Sequence, residues 1–165
     1  MVRTNNISFS YKEFEKIEDL LPEDRELILN AQVVAERAYA PYSKFRVGAA
    51  VRLESGKIVT GANVENAAFP SGICAERSAL SYSVSNYPDD NPAAIAITAL
   101  TDDGFTDEPV TPCGNCRQVI AEEESRTGKK IRILLSGRKR TLIIESIGSL
   151  RPLQFDKRSL RSDLP

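Results

Sequence analysis

Three cysteines, Cys74, Cys113 and Cys116, are the residues of this chain best suited to chemistry, and the chain contains no histidine. Without histidine, every serine–histidine or cysteine–histidine mechanism and every histidine-ligated metal site is excluded. The odd number of cysteines argues against a framework of disulfides. Three thiolates can instead hold one zinc ion and leave its fourth position to water, which is the arrangement of catalytic rather than structural zinc sites.

The local setting of the cysteines favours thiolates. Cys113 and Cys116 form a C-x-x-C at a predicted loop-to-helix junction, and Cys74 opens another predicted helix. The unpaired N–H groups and the positive dipole end of a helix start stabilise thiolates. Two alternatives stay open, because a C-x-x-C by itself also suits a redox dithiol, and a buried cysteine is commonly a small hydrophobic residue.

The residues around the cysteines favour zinc over a redox dithiol. Glu76 follows Cys74 by two residues, and Pro112 directly precedes Cys113. A first ligand, one spacer, a glutamate that does not bind metal, and then P-C-x-x-C form the signature of zinc deaminases, which has an all-cysteine variant. Both halves of this signature are present, each at a predicted helix start.

Glu76 is the predicted proton carrier of such a site. Zinc lowers the pKa of bound water to about 7, which supplies a strong nucleophile at neutral pH. Glu76 would take a proton from that water, deliver it to a ring nitrogen and later protonate the departing ammonia. The alternative is an ordinary acidic residue in the first turn of a helix.

Two arginines are candidates to offset the charge of the thiolates. Three thiolates and Zn²⁺ sum to −1, which weakens the metal as a Lewis acid, and a neighbouring cation that donates to the sulfurs would relieve this. Arg77, directly after Glu76, is the first candidate and Arg117 is the second. For either residue the alternative is an ordinary surface arginine.

The elements that position these residues follow from hydrophobic periodicity and turn signals. Helices are predicted over 22–41, 75–84 and 116–125, and strands over 45–53, 57–64, 93–100, 131–135 and 141–145. This order predicts one sheet with helices packed on it. Residues 1–20 show no period and are predicted to be an N-terminal extension, residues 21–160 one domain and residues 161–165 a C-terminal tail.

Charge and hydropathy narrow the possible partners. The 22 basic and 23 acidic residues give a net charge of −1, whereas nucleic-acid binders usually carry a basic excess. No stretch approaches the roughly 20 apolar residues of a membrane span, and the N-terminus has no secretory signal pattern. We therefore expect a cytoplasmic protein with no nucleic-acid or membrane partner.

Taken together, these residues resemble the cytidine deaminase family in its small, all-cysteine, homotetrameric form. The matching blocks are 40–50 (APYSKFRVGAA), 61–67 (GANVENA), 71–77 (SGICAER) and 111–118 (TPCGNCRQ). The resemblance covers about residues 25–160. It implies a three-layer α/β/α fold with a mixed central sheet. It also implies zinc-dependent hydrolysis of cytidine and deoxycytidine to uridine and deoxyuridine with release of ammonia, as in pyrimidine salvage.

The resemblance also assigns substrate-binding roles. By it, Asn63 and Glu65 would hold the ribose hydroxyls, and Phe45 would lie against the pyrimidine or the sugar. The backbone around Ala75 and Thr111 would hydrogen-bond the base. The residues expected to bind the nucleoside also include a tail phenylalanine, Phe155, which would help complete the site of a neighbouring subunit in a homotetramer.

The sequence departs from the family pattern in three places, none of which touches the metal ligands. Phe69 stands where tyrosine is frequent, the tail lacks the usual glycine-proline after Phe155, and residues 1–20 have no counterpart. Two rival functions stay open at this point. One is a related deaminase of another aminated nucleoside, such as a blasticidin-type antibiotic, and the other is a non-enzymatic zinc or redox module.

Overall fold

The computed structural model describes residues 1–156 and 159–160, so the expected tail at 161–165 lies outside the described residues. The helices are α1 (Pro22–Ala35), α2 (Ala75–Asn86) and α3 (Gly114–Thr127). The strands are β1 (Lys12–Phe14), β2 (Arg46–Leu53), β3 (Ile58–Ala62), β4 (Pro92–Thr101), β5 (Gly104–Phe105), β6 (Arg132–Ser136) and β7 (Thr141–Ile144).

The strands form one mixed sheet in the order β1-β7-β6-β4-β2-β3, with β5 pairing to the end of β4. The β4–β6 pair is parallel, and the remaining pairs are antiparallel. The parallel pair is connected through α3, as parallel neighbours require a crossover. The β2–β3 and β6–β7 hairpins turn where the sequence predicted them.

Alternating side chains of the strands fill two separate cores, one on each face of the sheet. On one face, Val51 of β2 and Ile97 of β4 pack with α2 and α3. On the other, Ala50 and Ala96 pack beneath α1. Helices therefore cover both faces, and the expected three-layer α/β/α fold with a mixed sheet is confirmed.

Helix α1 ends earlier than the sequence predicted, at Ala35 rather than near Pro41. The amides of residues 37 and 38 still make i→i−3 bonds, to Val34 and Ala35. The N–H of Tyr39, however, donates to the carbonyl of Asn63 at 3.1 Å. This hydrogen bond to the residue that follows β3 directs the chain away from the helix axis. No local sequence pattern indicates it.

Two short strands were not predicted. Lys12–Phe14 of the expected extension pairs with β7, and residues 104–105 of the predicted loop pair with β4. Leu20 is also buried, in the core beneath α1. At least the second half of the extension is therefore packed against the domain. In the part of the chain that the structure describes, no helix is long and apolar enough to cross a membrane.

Candidate active site

Two helix starts bring the three cysteines together. Cys74 is the N-cap of α2 and Cys113 the N-cap of α3, and Cys116 lies in the first turn of α3. Their sulfurs all lie within 4.8 Å of one another, and those of Cys74 and Cys113 are 3.9 Å apart. The structure therefore brings the three predicted metal ligands together in one cluster.

Close packing holds α2 at this place on the sheet. A Cβ on Gly61 of β3 would lie 2.5 Å from the backbone nitrogen of Ala79 and 2.8 Å from the carbonyl oxygen of Ala75. Only glycine permits this approach of strand and helix. A second tie is the bridge between Val64 and Ile73, whose backbones exchange two hydrogen bonds of 2.9 and 3.0 Å. Cys74 is thereby fixed directly beyond the end of β3.

The three thiols differ in how readily they ionise. Burial opposes ionisation of Cys113, but the hydrogen bond from the Cys116 amide, at 3.4 Å, and those with the neighbouring thiols outweigh it, so its pKa is lowered. Burial raises the pKa of Cys74 and that of Cys116, and the negative charge of Glu76 adds to both shifts. Three adjacent thiolates therefore need a cation between them, and soft sulfur donors fit zinc.

Glu76 lies beside the cysteines and is 5% exposed. Its burial raises the pKa of the carboxyl, although hydrogen bonds from its own amide and from the Cys116 side chain act in the opposite direction. Within the described residues, no salt bridge neutralises it. A carboxyl that is hard to ionise and close to a metal site is suited to exchanging protons near neutral pH.

A cavity of about 720 Å³ opens onto this cluster. Its volume lies within the range of small-molecule sites. It is lined by nine of the residues that the sequence singled out, namely Phe45, Asn63, Glu65, Phe69, Cys74, Ala75, Glu76, Thr111 and Cys113, together with nine others. Two of the three metal candidates, Cys74 and Cys113, thus share one cavity with Glu76 and with the predicted substrate-binding residues other than Phe155.

The side chain of Asn63 is hydrogen-bonded to the backbone of Phe45 and of Val47, where the chain enters β2. The side-chain amide of Asn63 donates to the carbonyl of Phe45 at 3.0 Å and accepts the N–H of Val47 at 2.7 Å. One N–H and one acceptor position of the amide are left for a ligand. Asn63 therefore holds the segment that carries Phe45 as well as facing the cavity.

Glu65 is held by the turn that precedes Phe45. Its Oε2 accepts the N–H groups of Tyr42 and Ser43 at 2.9 and 3.3 Å, and its Oε1 accepts the Ser43 hydroxyl at 2.5 Å. The Ser43 hydroxyl in particular lowers the pKa of this half-buried carboxyl, as do both amides. Glu65 therefore presents a charged acceptor to the cavity at neutral pH.

The two candidate arginines occupy different environments. The guanidinium of Arg117 donates to the carbonyl of Pro112 at 2.8 Å, to that of Leu150 at 3.0 Å and to the hydroxyl of Thr111 at 3.3 Å. All three contacts are to oxygen, so Arg117 braces the loop before Cys113, which differs from the expected donation to sulfur. Arg77 is half-buried and has no side-chain hydrogen bond to any described residue.

Phe155 stands apart from the cavity of its own chain. Its side chain is 57% exposed, and its carbonyl accepts the side-chain amide of Gln118 of α3 at 3.4 Å. Arg151 also donates to Gln118, which ties the tail to the helix that carries Cys116. The structure does not bring Phe155 together with the other predicted substrate-binding residues of the same chain.

Ser43 and Tyr42 are two of the nine cavity residues to which the sequence analysis assigned no role. Ser43 contacts Glu65 directly, and Tyr42 lies edge-on to Phe69, with ring centroids 6.0 Å apart. A serine two residues before Phe45, after a proline, is a turn signal that could have drawn attention to Ser43. The Tyr42–Phe69 contact is non-local and leaves no such signal.

Comparison with known proteins places the chain in a family. Residues 21–129 match the family model described as the cytidine and deoxycytidylate deaminase zinc-binding region. The chain is 43% identical over 100 residues to a cytidine deaminase of Halalkalibacterium halodurans, over 60% of this chain and 71% of that protein. It is 46% identical over 96 residues to a cytidine deaminase of Sporosarcina psychrophila, over 58% of this chain and 66% of that protein.

Solved structures agree with the sequence relatives. A crystal structure of cytidine deaminase from Burkholderia pseudomallei superposes with a TM-score of 0.67 at 36% identity, covering 79% of this chain and 97% of that one. The cytidine deaminase of Mycobacterium tuberculosis superposes with a TM-score of 0.62 at 32% identity, over 79% and 95% of the two chains. The likeness extends over nearly the whole of both solved proteins.

Proposed function

The chain belongs to the cytidine and deoxycytidylate deaminase family, a family of hydrolases, and on that premise we propose that it hydrolyses cytidine and deoxycytidine to uridine and deoxyuridine, releasing ammonia. One observation carries the proposal. Three cysteine sulfurs lie within 4.8 Å of one another, and two of these cysteines, Cys74 and Cys113, line one cavity of about 720 Å³ together with the buried Glu76. Neither a structural zinc module nor a simple dithiol needs such a cavity.

Cys74, Cys113 and Cys116 are the residues that would hold zinc. Zinc bound by three protein ligands supplies an activated water near neutral pH. Because Cys113 is the thiol whose pKa is lowered, it is the first to be available as a thiolate. Arg77, half-buried beside Glu76, is the cation positioned in sequence to offset the charge of the three thiolates.

Glu76 moves the protons in the proposed reaction. It takes one proton from the attacking water as the oxygen bonds to C4, and gives that proton to N3 of the pyrimidine ring. It then takes the second proton from the hydroxyl now on C4 and gives it to the amino group, so that the C4–N bond breaks, ammonia leaves and the C4 carbonyl forms. Its burial raises the pKa of its carboxyl, which helps it to retain a proton long enough to transfer it. Because one carboxyl acts several times, the proposed reaction needs no histidine.

The remaining cavity residues recognise the nucleoside in this proposal. The charged Glu65 and the free positions of the Asn63 amide bind sugar hydroxyls, and Phe45 packs against the ring or the sugar. The backbone of Ala75 and Thr111 binds the base. Their shared position at one cavity supports these roles.

We propose further that the enzyme is a cytoplasmic homotetramer acting in pyrimidine salvage, in which Phe155 reaches the cavity of a neighbouring subunit. The exposure of Phe155 and its separation from the cavity of its own chain support this arrangement. Three free thiols suit a reducing compartment. The balanced charge of the chain gives no reason to add a nucleic-acid partner.

The proposal is tested by incubating the purified chain with cytidine, while following the loss of its ultraviolet band and the release of ammonia. We expect equal amounts of uridine and ammonia. Free cytosine should react far more slowly, because a site built to bind hydroxyls rejects an analogue lacking them by up to about 10⁴–10⁵-fold. Turnover of a blasticidin-type antibiotic but not of cytidine would favour the related deaminase instead, and no turnover with no bound metal would favour the redox module.

A further inference from the structure

The hydroxyl of Ser43 connects two of the residues proposed to bind the nucleoside. It donates to Oε1 of Glu65 at 2.5 Å and accepts the backbone N–H of Phe45 at 3.0 Å. The Ser43 amide donates to the other carboxylate oxygen of Glu65 at 3.3 Å. A single small side chain therefore determines the position of both a charged acceptor and an aromatic residue at the cavity.

The hydrogen bonds of Glu65 leave little freedom for a ligand. A carboxylate has about four acceptor positions. Tyr42 and Ser43 occupy both positions on Oε2 and one on Oε1. The position that remains, on Oε1, can accept one hydroxyl from one direction.

The backbone of this turn has a strained conformation, which the hydrogen bonds around it stabilise. Lys44, between Ser43 and Phe45, has φ 58°, in the left-handed region that residues other than glycine rarely occupy. Such a conformation persists where the surrounding structure determines it, and it is concentrated at functional sites. The contacts that fix it are the Ser43 hydroxyl and the Lys44 amide, which donates to the Ala40 carbonyl at 3.1 Å.

Stability alone does not explain the hydrogen bonds between Ser43 and Glu65. Ser43 and Glu65 both line the cavity, and the hydrogen bonds between them are exposed, so water could replace any of them at small cost. The donors of Tyr42 and Ser43 hold the Glu65 carboxylate in a fixed orientation, and water molecules would not. Orientation of an acceptor matters where a ligand hydroxyl must be met at a defined angle.

We propose that Ser43 is a positioning residue for sugar recognition, which orients the Glu65 carboxylate towards one sugar hydroxyl and holds Phe45 beside it. The proposal rests on the proposed nucleoside deaminase function. It adds a residue with no direct contact to the reacting atoms, whose loss weakens discrimination between nucleosides that have and that lack the sugar hydroxyls.

The chain contains a matched control in the β2–β3 turn. The hydroxyl of Ser55 donates to Asp90 at 2.5 Å and accepts the N–H of Lys57 at 3.3 Å, and the Ser55 amide donates to Asp90 at 3.0 Å. The next residue, Gly56, also has a positive φ, 89°. Ser55 thus makes the same set of bonds, but it does not line the cavity.

The test compares Ser43→Ala, Ser43→Thr and Ser55→Ala, with kcat and KM measured for cytidine and for 2′,3′-dideoxycytidine, which lacks both hydroxyls. For Ser43→Ala we expect kcat/KM for cytidine to fall about tenfold, the size of one lost hydrogen bond to a charged group, mainly through KM. The fall for the dideoxynucleoside should be clearly smaller, because this substrate loses only the contact with Phe45 and not a hydrogen bond to Glu65. Ser43→Thr keeps the hydroxyl and should restore discrimination, because position 43 is exposed and has room for the methyl group. Ser55→Ala should discriminate as the unaltered chain does.

A second readout does not depend on catalysis. Carbon-13 NMR of the Glu65 carboxyl should show its pKa below the ordinary value in the unaltered chain and raised in Ser43→Ala, but not in Ser43→Thr or Ser55→Ala. The proposed role of Ser43 would be contradicted by an equal loss of kcat/KM with both nucleosides or by failure of Ser43→Thr to restore discrimination. An unchanged pKa of Glu65 in Ser43→Ala would contradict it as well. If the unaltered chain does not deaminate cytidine, the proposed function fails, and the NMR comparison still decides whether Ser43 orients Glu65.

Discussion

Replacing Glu76 by glutamine separates proton transfer from metal binding. Glutamine has nearly the same volume and fits a side chain that is 5% exposed, but it cannot carry a proton between atoms. Proton transfer by one positioned group contributes about 10²–10⁴-fold. Because Glu76 serves several steps, we expect kcat to fall by at least this factor, which is about 3–5 kcal/mol of transition-state free energy.

The same substitution should leave the metal site intact or improve it. The negative charge of Glu76 raises the pKa of Cys74 and of Cys116, and it opposes ionisation of Cys113. Without that charge the thiols deprotonate more readily, so Glu76→Gln should contain zinc at least in the amount of the unaltered chain. The assay is initial velocity with cytidine on samples of measured zinc content.

The free energy of unfolding gives an independent check. Burial raises the pKa of Glu76 above its ordinary value of 4.5, so ionisation is costlier in the folded than in the unfolded chain. Below that pH the carboxyl is protonated in both states and imposes no penalty. As the pH rises above 4.5, the penalty develops in the unaltered, metal-free chain and is absent from Glu76→Gln. The variant should therefore be the more stable at about pH 7, with a difference that disappears towards about pH 4.

A buried carboxyl elsewhere supplies the control. Glu123 of α3 is 8% exposed and paired with Arg126, away from the cavity. Glu123→Gln should keep turnover and zinc content while it changes stability through the lost pair. Near-normal turnover by a zinc-containing Glu76→Gln, or a stability advantage that grows on acidification, would refute the reasoning about Glu76.

Three further substitutions test the roles of Arg77, Asp24 and Phe155. Arg77→Gln should lose zinc to a chelator faster than the unaltered chain if Arg77 offsets the charge of the thiolates as proposed, and equal loss rates would show that it is an ordinary surface arginine. Asp24→Asn should lower the free energy of unfolding by about 3 kcal/mol, and Tm by about 10 °C, since Asp24 is 1% exposed and pairs with Arg52 and Arg132 at 3.3 and 2.9 Å. A calorimetric shift of a degree or two would contradict that estimate. Phe155→Ala should reduce turnover about fivefold to tenfold without reducing zinc content, and light scattering that finds a fully active monomer would contradict the shared site.

The cysteine cluster was predictable because its signal is local. Helix starts at Cys74 and at the C-x-x-C follow from short segments of sequence, and the spacing of Glu76 from Cys74 sets its place within the first turn of α2. The strands that form the centre of the sheet were predictable for the same reason. Strand β4, for example, is almost wholly apolar, which is typical of a strand buried on both faces.

What was missed depends on contacts between distant segments. Strand β1 has no hydrophobic pattern of its own, and it forms because β7 offers an unpaired edge and because Glu13 and Lys12 pair with Arg140 and Glu145. The early end of α1 follows from a bond between the Tyr39 amide and the far end of β3. Local patterns cannot report either contact.

The central claim is that the three-cysteine site binds one zinc ion and that this ion is required for deamination of cytidine. It is tested most directly by titrating zinc into the metal-free chain and measuring the initial rate of cytidine deamination at each addition. We expect the rate to rise linearly and to stop rising at one zinc per chain, because Cys74, Cys113 and Cys116 form one cluster. Full turnover before any zinc is added, or no turnover at one equivalent in a folded chain, would contradict the claim.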